Sequence, residues 1–95
     1  MTKNISNLQA NHLIKNGAKV VDIRDAKDFG DSHIPGAINI GIDDLKKLNL
    51  DKYDTIIVVC YSGVTSIAAA ECLSELGYRN VFNLKSGYDS FTRSN

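Results

Sequence analysis

The chain has 95 residues, of which 43% are hydrophobic and 23% are charged, and its 11 basic residues balance its 11 acidic ones. This composition is that of a globular protein and excludes a disordered or low-complexity chain. A chain of this length can build one modest core, so we expect a single domain over residues 1–95 with a core at about 5–92. The balanced charge lacks the cationic surplus that neutralises nucleic-acid phosphates, so no nucleic-acid partner is expected.

The chain has two cysteines, Cys60 and Cys72. They are too few for the disulfide framework of a small secreted domain, and they could complete a four-ligand zinc site only together with both histidines. Residues 1–7 contain no apolar core of signal-peptide length, and the longest apolar run, residues 56–60, is far shorter than a membrane span. These features predict a protein of the reducing cytoplasm with no metal site and no membrane partner.

Segments typical of helices and of strands alternate along the chain, with short polar connections between them. This alternation predicts an α/β fold with a mainly parallel sheet. In chain order, the predicted segments are a helix over 8–15, a strand over 19–23, a helical turn over 25–29, a strand over 37–40, a helix from 43 to about 48, a strand over 56–59, a helix over 66–76, a strand over 80–84 and a last helical turn over 88–91.

Three of these segments carry more detailed expectations. The run Ile56–Val59 is apolar without alternation, which is typical of a central parallel strand covered by helices on both faces. Asp43 is expected to cap the helix that it begins. In the helix over 66–76, four apolar residues recur at helical spacing, and Gly77 is expected to end the helix: these residues are Ile67, Ala70, Leu73 and Leu76.

Cys60 is the main candidate for chemistry, because it ends the central strand and lies just before a predicted helix. Ligand sites of open α/β sheets lie beyond the carboxyl ends of the strands, and a helix N-terminus stabilises a thiolate. Gly63 lets the loop curl so that its N–H groups can bind an anion, and Ser62, Thr65 and Ser66 add hydroxyl groups. Alternatively, Cys60 is only the buried end of an apolar strand. The polar loop that follows favours a functional role.

Several motifs in order resemble the rhodanese domain family over about residues 20–91. The first signature comprises residues 20–24, 28–29 and 33–40, which includes His33-Ile34-Pro35-Gly36. The segment Cys60-Tyr61-Ser62-Gly63-Val64-Thr65-Ser66 resembles the active-site loop of that family, and residues 76–84 with Ser86-Gly87 resemble its closing strand and turn. The resemblance implies a three-layer fold in which helices flank both faces of a central sheet.

The resemblance also implies a sulfurtransferase in which Cys60 is the nucleophile and carries a persulfide. Backbone N–H groups from Tyr61 to Ser66, with Val64 among them, would bind the anion, and no metal or organic cofactor would be needed. The donor would be thiosulfate or a persulfide or polysulfide, and the acceptor would be cyanide, a thiol or a protein. A non-catalytic or slow sulfur-carrier module of the same fold is the alternative, although the retained cysteine argues against it.

The chain departs from the family pattern at four positions. Thr65 stands where many active members have arginine, so we expect weaker binding of doubly charged thiosulfate and a preference for a persulfide donor. Ser32 and Ser86 replace glycines, and Phe91 replaces a common tryptophan. These three changes are expected to be tolerated.

Other polar residues have more ordinary interpretations. Asp22 and Arg24 are expected to form a structural ion pair, and His33 is expected to orient a turn. Tyr61 fits either a pocket wall or a hydrogen bond to substrate, and Cys72 fits helix packing better than a resolving thiol.

A phosphatase or arsenate reductase of the related fold is a third possibility. Those enzymes use a longer loop with an arginine six positions after the cysteine. Here that position is Ser66, and the next arginine is Arg79. The oxygens of a phosphate or arsenate would therefore lack their bidentate partner.

Overall fold

The computed structural model describes residues 2–94, in which five strands and their connecting helices alternate. The strands are β1 (Lys3–Ile5), β2 (Lys19–Asp22), β3 (Ile38–Asn39), β4 (Thr55–Val59) and β5 (Asn80–Leu84). The α-helices are α1 (Asn7–Lys15), α2 (Ala26–Asp31), α3 (Thr65–Glu75) and α4 (Gly87–Ser94), and a 3₁₀ helix covers Ile42–Lys47.

The five strands form one sheet in the order β1-β5-β4-β2-β3, and every pairing is parallel. β4 lies at the centre, with Val58 opposite Val21 of β2 and opposite Asn83 of β5. Because parallel strands end at one edge of the sheet, the carboxyl ends of β2, β4 and β5 meet there. Cys60 follows β4 at that edge.

The side chains of β4 alternate between two hydrophobic cores, one on each face of the sheet. Ile57 and Val59 pack in a cluster with residues of α1 and α4, and Ile56 and Val58 pack in a cluster with residues of α3 and the 3₁₀ helix. All four side chains are fully buried. The predicted α/β fold, with a parallel sheet covered by helices on both faces, is confirmed.

A capping box begins α1. The N–H of Gln9 donates to Ser6 Oγ over 3.2 Å, and the N–H of Ser6 donates to Gln9 Oε1 over 2.8 Å. These bonds satisfy groups that a helix end leaves without partners. The helix starts one residue before the predicted position and ends at Lys15 as expected.

The sequence-based prediction was wrong at two places. It missed β1, which has only one buried side chain, Ile5, and pairs at the sheet edge with β5. Asp43 does not cap a helix: Gly41 holds the N-cap position of a 3₁₀ helix, with no side-chain capping bond. The ends of the other elements differ from the prediction by a few residues at most.

The buried face of α3 contains only two of the four residues at helical spacing, Ala70 and Leu73, and is rotated from the stripe that those four residues form. Ser66, Ala69, Ala70 and Leu73 are buried, whereas Ile67 and Leu76 are 37% and 38% exposed. Small side chains face the sheet, since alanine and serine let the helix pack closely against it. The apolar periodicity counted large residues and so selected a neighbouring stripe.

This rotation gives the first prediction. Leu73→Ala should lower the free energy of unfolding by about 2–5 kcal/mol, because it leaves a cavity in the core under α3. Leu76→Ala, on the same helix, should cost about 1 kcal/mol or less, because much of its side chain is already in water. Urea unfolding of both variants measures the difference. Equal losses would contradict the observed rotation of α3.

Candidate active site

Cys60 places its sulfur at the N-terminus of α3. Its Sγ accepts the N–H of Gly63 over 3.1 Å and the N–H of Ser66 over 3.3 Å. Val64 holds the N-cap position, and its side chain cannot accept a hydrogen bond. The sulfur therefore takes the role that a serine or aspartate oxygen has at other helix starts.

These contacts determine the ionisation of Cys60. Burial alone would raise the pKa of Cys60, because it disfavours the charged thiolate. Hydrogen bonds from the Ser66 side chain and from the backbone N–H groups of Ser66, Gly63 and Ser62 outweigh burial, so the pKa lies below its ordinary value. The positive end of α3 acts in the same direction. The arrangement suits a nucleophilic thiolate.

The loop is locked against the turn between β5 and α4. Gly63 has φ of +85°, and a Cβ there would lie 2.0 Å from the carbonyl oxygen of Lys85. Gly87 has φ of +79°, and its Cβ would lie 2.2 Å from the carbonyl oxygen of Tyr61. The N–H of Tyr88 also donates to the Cys60 carbonyl over 2.8 Å. Only glycine fits at both contacts, so the two turns set each other's conformation.

Asn83 joins the site from the neighbouring strand β5 and is fully buried. The Ser66 hydroxyl donates to Asn83 Oδ1, and Ser66 Oγ lies 3.1 Å from Cys60 Sγ. Asn83 Nδ2 donates to the Gly63 carbonyl and to Asn4 Oδ1, each over 2.9 Å. Sequence reasoning missed Asn83. The available signal was a strongly polar side chain inside a short apolar strand that ends beside the site.

Asp22 and Arg24 form a buried ion pair at the end of β2. Arg24 Nε and one terminal nitrogen both donate to the Asp22 carboxylate, and the terminal nitrogen also donates to the Ser32 carbonyl over 2.7 Å. The guanidinium lies 3.8 Å from the Tyr88 ring centroid. Burial alone would lower the pKa of Arg24, but Asp22 raises it above its ordinary value. The pair connects α2 with α4 beside the loop.

The hydroxyl of Tyr61 is held by the protein. It donates to the Asp28 carboxylate of α2 and accepts the N–H of Asp25 over 3.2 Å. The bond to Asp28 raises the pKa of Tyr61. The ring, 43% exposed, flanks the mouth of the loop. With its hydroxyl held in this way, Tyr61 can offer its ring as one wall of a pocket beside Cys60.

His33 has structural contacts, and so do three of the four residues that depart from the family pattern, namely Ser32, Ser86 and Phe91. His33 Nδ1 donates to the Phe29 carbonyl over 2.8 Å, and its ring stacks on the ring of Phe29. Ser32 Oγ accepts the Tyr88 hydroxyl over 3.0 Å, Ser86 Oγ donates to Asn7, and Phe91 lies in the core.

The outer surface of the loop is uncharged. Tyr61, Ser62, Val64 and Thr65 are exposed, Val64 to 67%. Arg79 precedes β5 and so lies at the opposite edge of the sheet from Cys60, with its guanidinium near the Tyr53 ring. The geometry therefore provides no arginine in the loop for phosphate or arsenate.

Cys72 lies on the third turn of α3. Seven residues separate it from Thr65, so it is about 10 Å along the helix axis from the loop. Its side chain is half-buried and packs against the core that contains Leu73.

Within residues 2–94, no three His, Cys, Asp or Glu side chains are grouped so that they could hold a metal ion.

A surface hollow of about 550 Å³ lies between α1 and the outer strands, lined by Leu8, His12, Leu13 and Phe82 among others. No residue of the loop from Cys60 to Ser66 lines this hollow. None of the helices in the part of the chain that the structure describes has the length and apolar character needed to cross a bilayer.

Sequence relatives match this chain along nearly its whole length. A protein named thiosulfate sulfurtransferase GlpE from Haemophilus influenzae is 39% identical over 94 residues, covering 97% of this chain and 90% of that protein. The protein of the same name from Shewanella oneidensis is 33% identical and covers 93% of both chains.

Solved structures show the same fold. The human single-domain sulfurtransferase TSTD1 superposes with a TM-score of 0.89 at 20% identity, covering 100% of this chain and 99% of that one. A rhodanese-related protein from Thermoplasma volcanium gives 0.86 at 28% identity, covering 98% and 93%. The family model described as rhodanese-like domain matches residues 6–94. This chain, with its parallel sheet and the loop around Cys60, therefore belongs to the rhodanese-like domain family.

Proposed function

We propose that this chain is a sulfurtransferase that carries a sulfane sulfur on Cys60 as a persulfide. The observation that carries the proposal is the Cys60 sulfur itself, which accepts two backbone N–H groups at the start of α3. The relatives named thiosulfate sulfurtransferase support the reaction class. The single family domain would act over residues 1–95 without a metal or organic cofactor.

The first step is attack on the donor. The Cys60 thiolate attacks the outer sulfur of thiosulfate, a new S–S bond forms, and the old S–S bond breaks so that sulfite leaves with the electron pair. The negative charge then lies on the outer sulfur of the persulfide. N–H groups of the loop from Tyr61 to Ser66 and the positive end of α3 would stabilise that charge.

The second step returns the enzyme to its starting state. A thiophilic acceptor such as cyanide or a thiolate attacks the outer sulfur, and the Cys60 thiolate leaves. With cyanide the product is thiocyanate. The low pKa of Cys60 makes its thiolate a good leaving group, so the same hydrogen bonds assist both steps.

The chemistry of the loop surface bears on the choice of substrates. No charged side chain lies between Cys60 and Ser66, so only dipoles and hydroxyl groups are offered there to doubly charged thiosulfate. A persulfide carries a single negative charge, so its desolvation costs less than that of thiosulfate. The exposed side chains of Tyr61 and Val64 suit contact with a larger thiol or with a protein acceptor.

The surrounding residues would hold the loop in its reactive shape. Asp22 and Arg24 already bind one another, and His33 is bound to the Phe29 carbonyl, so we assign all three to support. Tyr61 would wall the pocket. Cys60 and Cys72 are both free thiols, which suits work in the reducing cytoplasm.

Loading of sulfur on the two cysteines tests the carrier. Reduced protein mixed with thiosulfate or with polysulfide should gain the mass of one sulfur atom. Cys60→Ser should remove that gain, because it removes the thiolate, and Cys72→Ser should retain it. Intact-protein mass spectrometry measures the adduct, and circular dichroism checks that both variants fold.

Addition of cyanide then separates an enzyme from a carrier. Repeated formation of thiocyanate would support the enzyme, whereas a single stoichiometric release would favour a slow sulfur-carrier module. Loading that survives in Cys60→Ser would refute the proposed mechanism.

Thr65→Arg tests whether the lack of a positive charge in the loop limits the binding of thiosulfate. A cation at the loop mouth should lower the KM for thiosulfate about three- to tenfold and lower that for a singly charged persulfide donor less. Thr65→Gln, of similar reach but uncharged, is the matched control. Steady-state kinetics at low and high salt measure the effect. An unchanged KM would mean that the backbone cradle already suffices.

Gly63→Ala tests the shape of the loop. The added Cβ would meet the Lys85 carbonyl, so the loop must move and its N–H groups leave the sulfur. Activity should fall at least about tenfold, and alkylation of Cys60 should require higher pH. Gly36→Ala is the control, because Gly36 has a similar φ of +82° but no neighbour within 4 Å. An equal loss of activity in both variants would point to general destabilisation.

A further inference from the structure

The Ser66 hydroxyl has one proton and two acceptors within reach. Asn83 Oδ1 lies on one side and Cys60 Sγ lies on the other. Ser66 and Asn83 are both fully buried, so water is not available to replace a missing partner. The direction of this one O–H bond therefore matters for the charge state of the sulfur.

The orientation of the Asn83 amide is fixed by the loop. The Gly63 carbonyl can only accept a hydrogen bond, so the group that faces it must be the amide nitrogen. The amide oxygen then faces Ser66. With Cys60 as a thiol, its S–H donates to Ser66 Oγ, and the Ser66 O–H donates to Asn83 Oδ1. The side chains of Cys60, Ser66 and Asn83 then all have hydrogen-bond partners.

Ionisation of Cys60 changes the direction of the hydrogen bond that Ser66 donates. The thiolate has no proton to donate and becomes the stronger acceptor, so the Ser66 O–H turns toward the sulfur. Asn83 Oδ1 then loses its buried donor, which disfavours the thiolate. In the persulfide the charge moves to the outer sulfur, and the hydroxyl can return to Asn83.

We propose that Asn83 is a positioning residue that competes with the Cys60 sulfur for the Ser66 proton and so limits how far the thiolate is stabilised. The inference rests on the proposed function, in which Cys60 is the nucleophile. A less stabilised thiolate is the stronger nucleophile, because nucleophilicity falls as the thiol becomes more acidic. Asn83 thus balances the amount of thiolate against its reactivity.

The test is a pair of substitutions made separately and together in Cys72→Ser protein, so that only Cys60 reacts. Asn83→Leu removes the competing acceptor with little change of shape, and Ser66→Ala removes the hydroxyl. The rate of Cys60 alkylation by iodoacetamide is measured against pH for each variant. Asn83→Ala is added in case leucine disturbs folding, and urea unfolding checks all variants.

The ionisable groups on the elements that pack against the loop stay constant throughout. They are Asp22 at the end of β2, Arg24 after it, Asp25 and Asp28 at α2, Lys85 after β5, and Tyr88 and Asp89 on α4. Asn4→Ala is the matched control. It removes the exposed acceptor of the Asn83 amide nitrogen and leaves the Gly63 carbonyl to orient the Asn83 amide.

We expect Asn83→Leu to move the midpoint of the pH–rate profile to lower pH. Below the midpoint alkylation should be about two- to threefold faster, and on the plateau about twofold slower. Ser66→Ala should move the midpoint to higher pH, since the thiolate loses a donor. The double variant should match Ser66→Ala within about twofold, because Asn83 acts through the hydroxyl. Asn4→Ala should leave the profile unchanged.

A midpoint that moves to higher pH on Asn83→Leu in both backgrounds would overturn the proposal, because Asn83 would then only hold the loop. An unchanged midpoint would overturn it as well. Alkylation needs no sulfur donor, so this result is independent of whether the protein transfers sulfur. Failure of sulfur loading with an intact double-variant pattern would contradict the proposed function alone.

Discussion

A sulfur atom takes the place of a capping oxygen at the start of α3, and the rest of the site depends on that contact. To bring two N–H groups onto the sulfur, the loop after β4 must reverse within a few residues. The reversal needs the positive φ of Gly63 and brings the backbone against the Lys85 carbonyl. The Cys60 sulfur is therefore also a structural ligand of the loop that presents it.

Two sets of contacts fix this loop from opposite sides. On one side, the ion pair of Asp22 and Arg24 reaches both the Ser32 carbonyl and the Tyr88 ring. On the other, Asn83 holds the Gly63 carbonyl and the Ser66 hydroxyl. Neither set leaves a charged group open at the mouth of the loop. In the proposed function the anion would be bound by backbone dipoles held in place, which need no rearrangement as charge develops.

The central features could be predicted from the sequence because they depend on local rules. An unbroken apolar run such as the one before Cys60 is typical of a central parallel strand, and the structure has that strand as β4. The glycine loop before an alanine-rich helix predicts an anion site, which stays a prediction. β1 could not be predicted, since its single buried side chain is paired by a strand far along the chain. Asp43 met a capping rule, but its segment is a 3₁₀ helix.

The partners of the site residues were less accessible to prediction. Nothing near Tyr61 in the sequence indicates that Asp28 will bind its hydroxyl, and nothing near Ser66 indicates Asn83. Both contacts depend on which strands and helices become neighbours in the sheet. A sequence pattern gives the type of a residue and its element, but the partner of a buried polar group is a property of the topology.

The strand order also constrains how the chain folds. β5 lies between β1 and β4, so the first strand has no partner until the last strand is in place. Lys3–Ile5 pairs with residues 82–84, and the network around Ser66 ends on Asn4. Closing contacts of such long range are slow to form. On a ribosome, Cys60 would leave the exit tunnel before the strand and turn that enclose it, and its thiol would stay chemically unprotected until residues 80–88 have followed it.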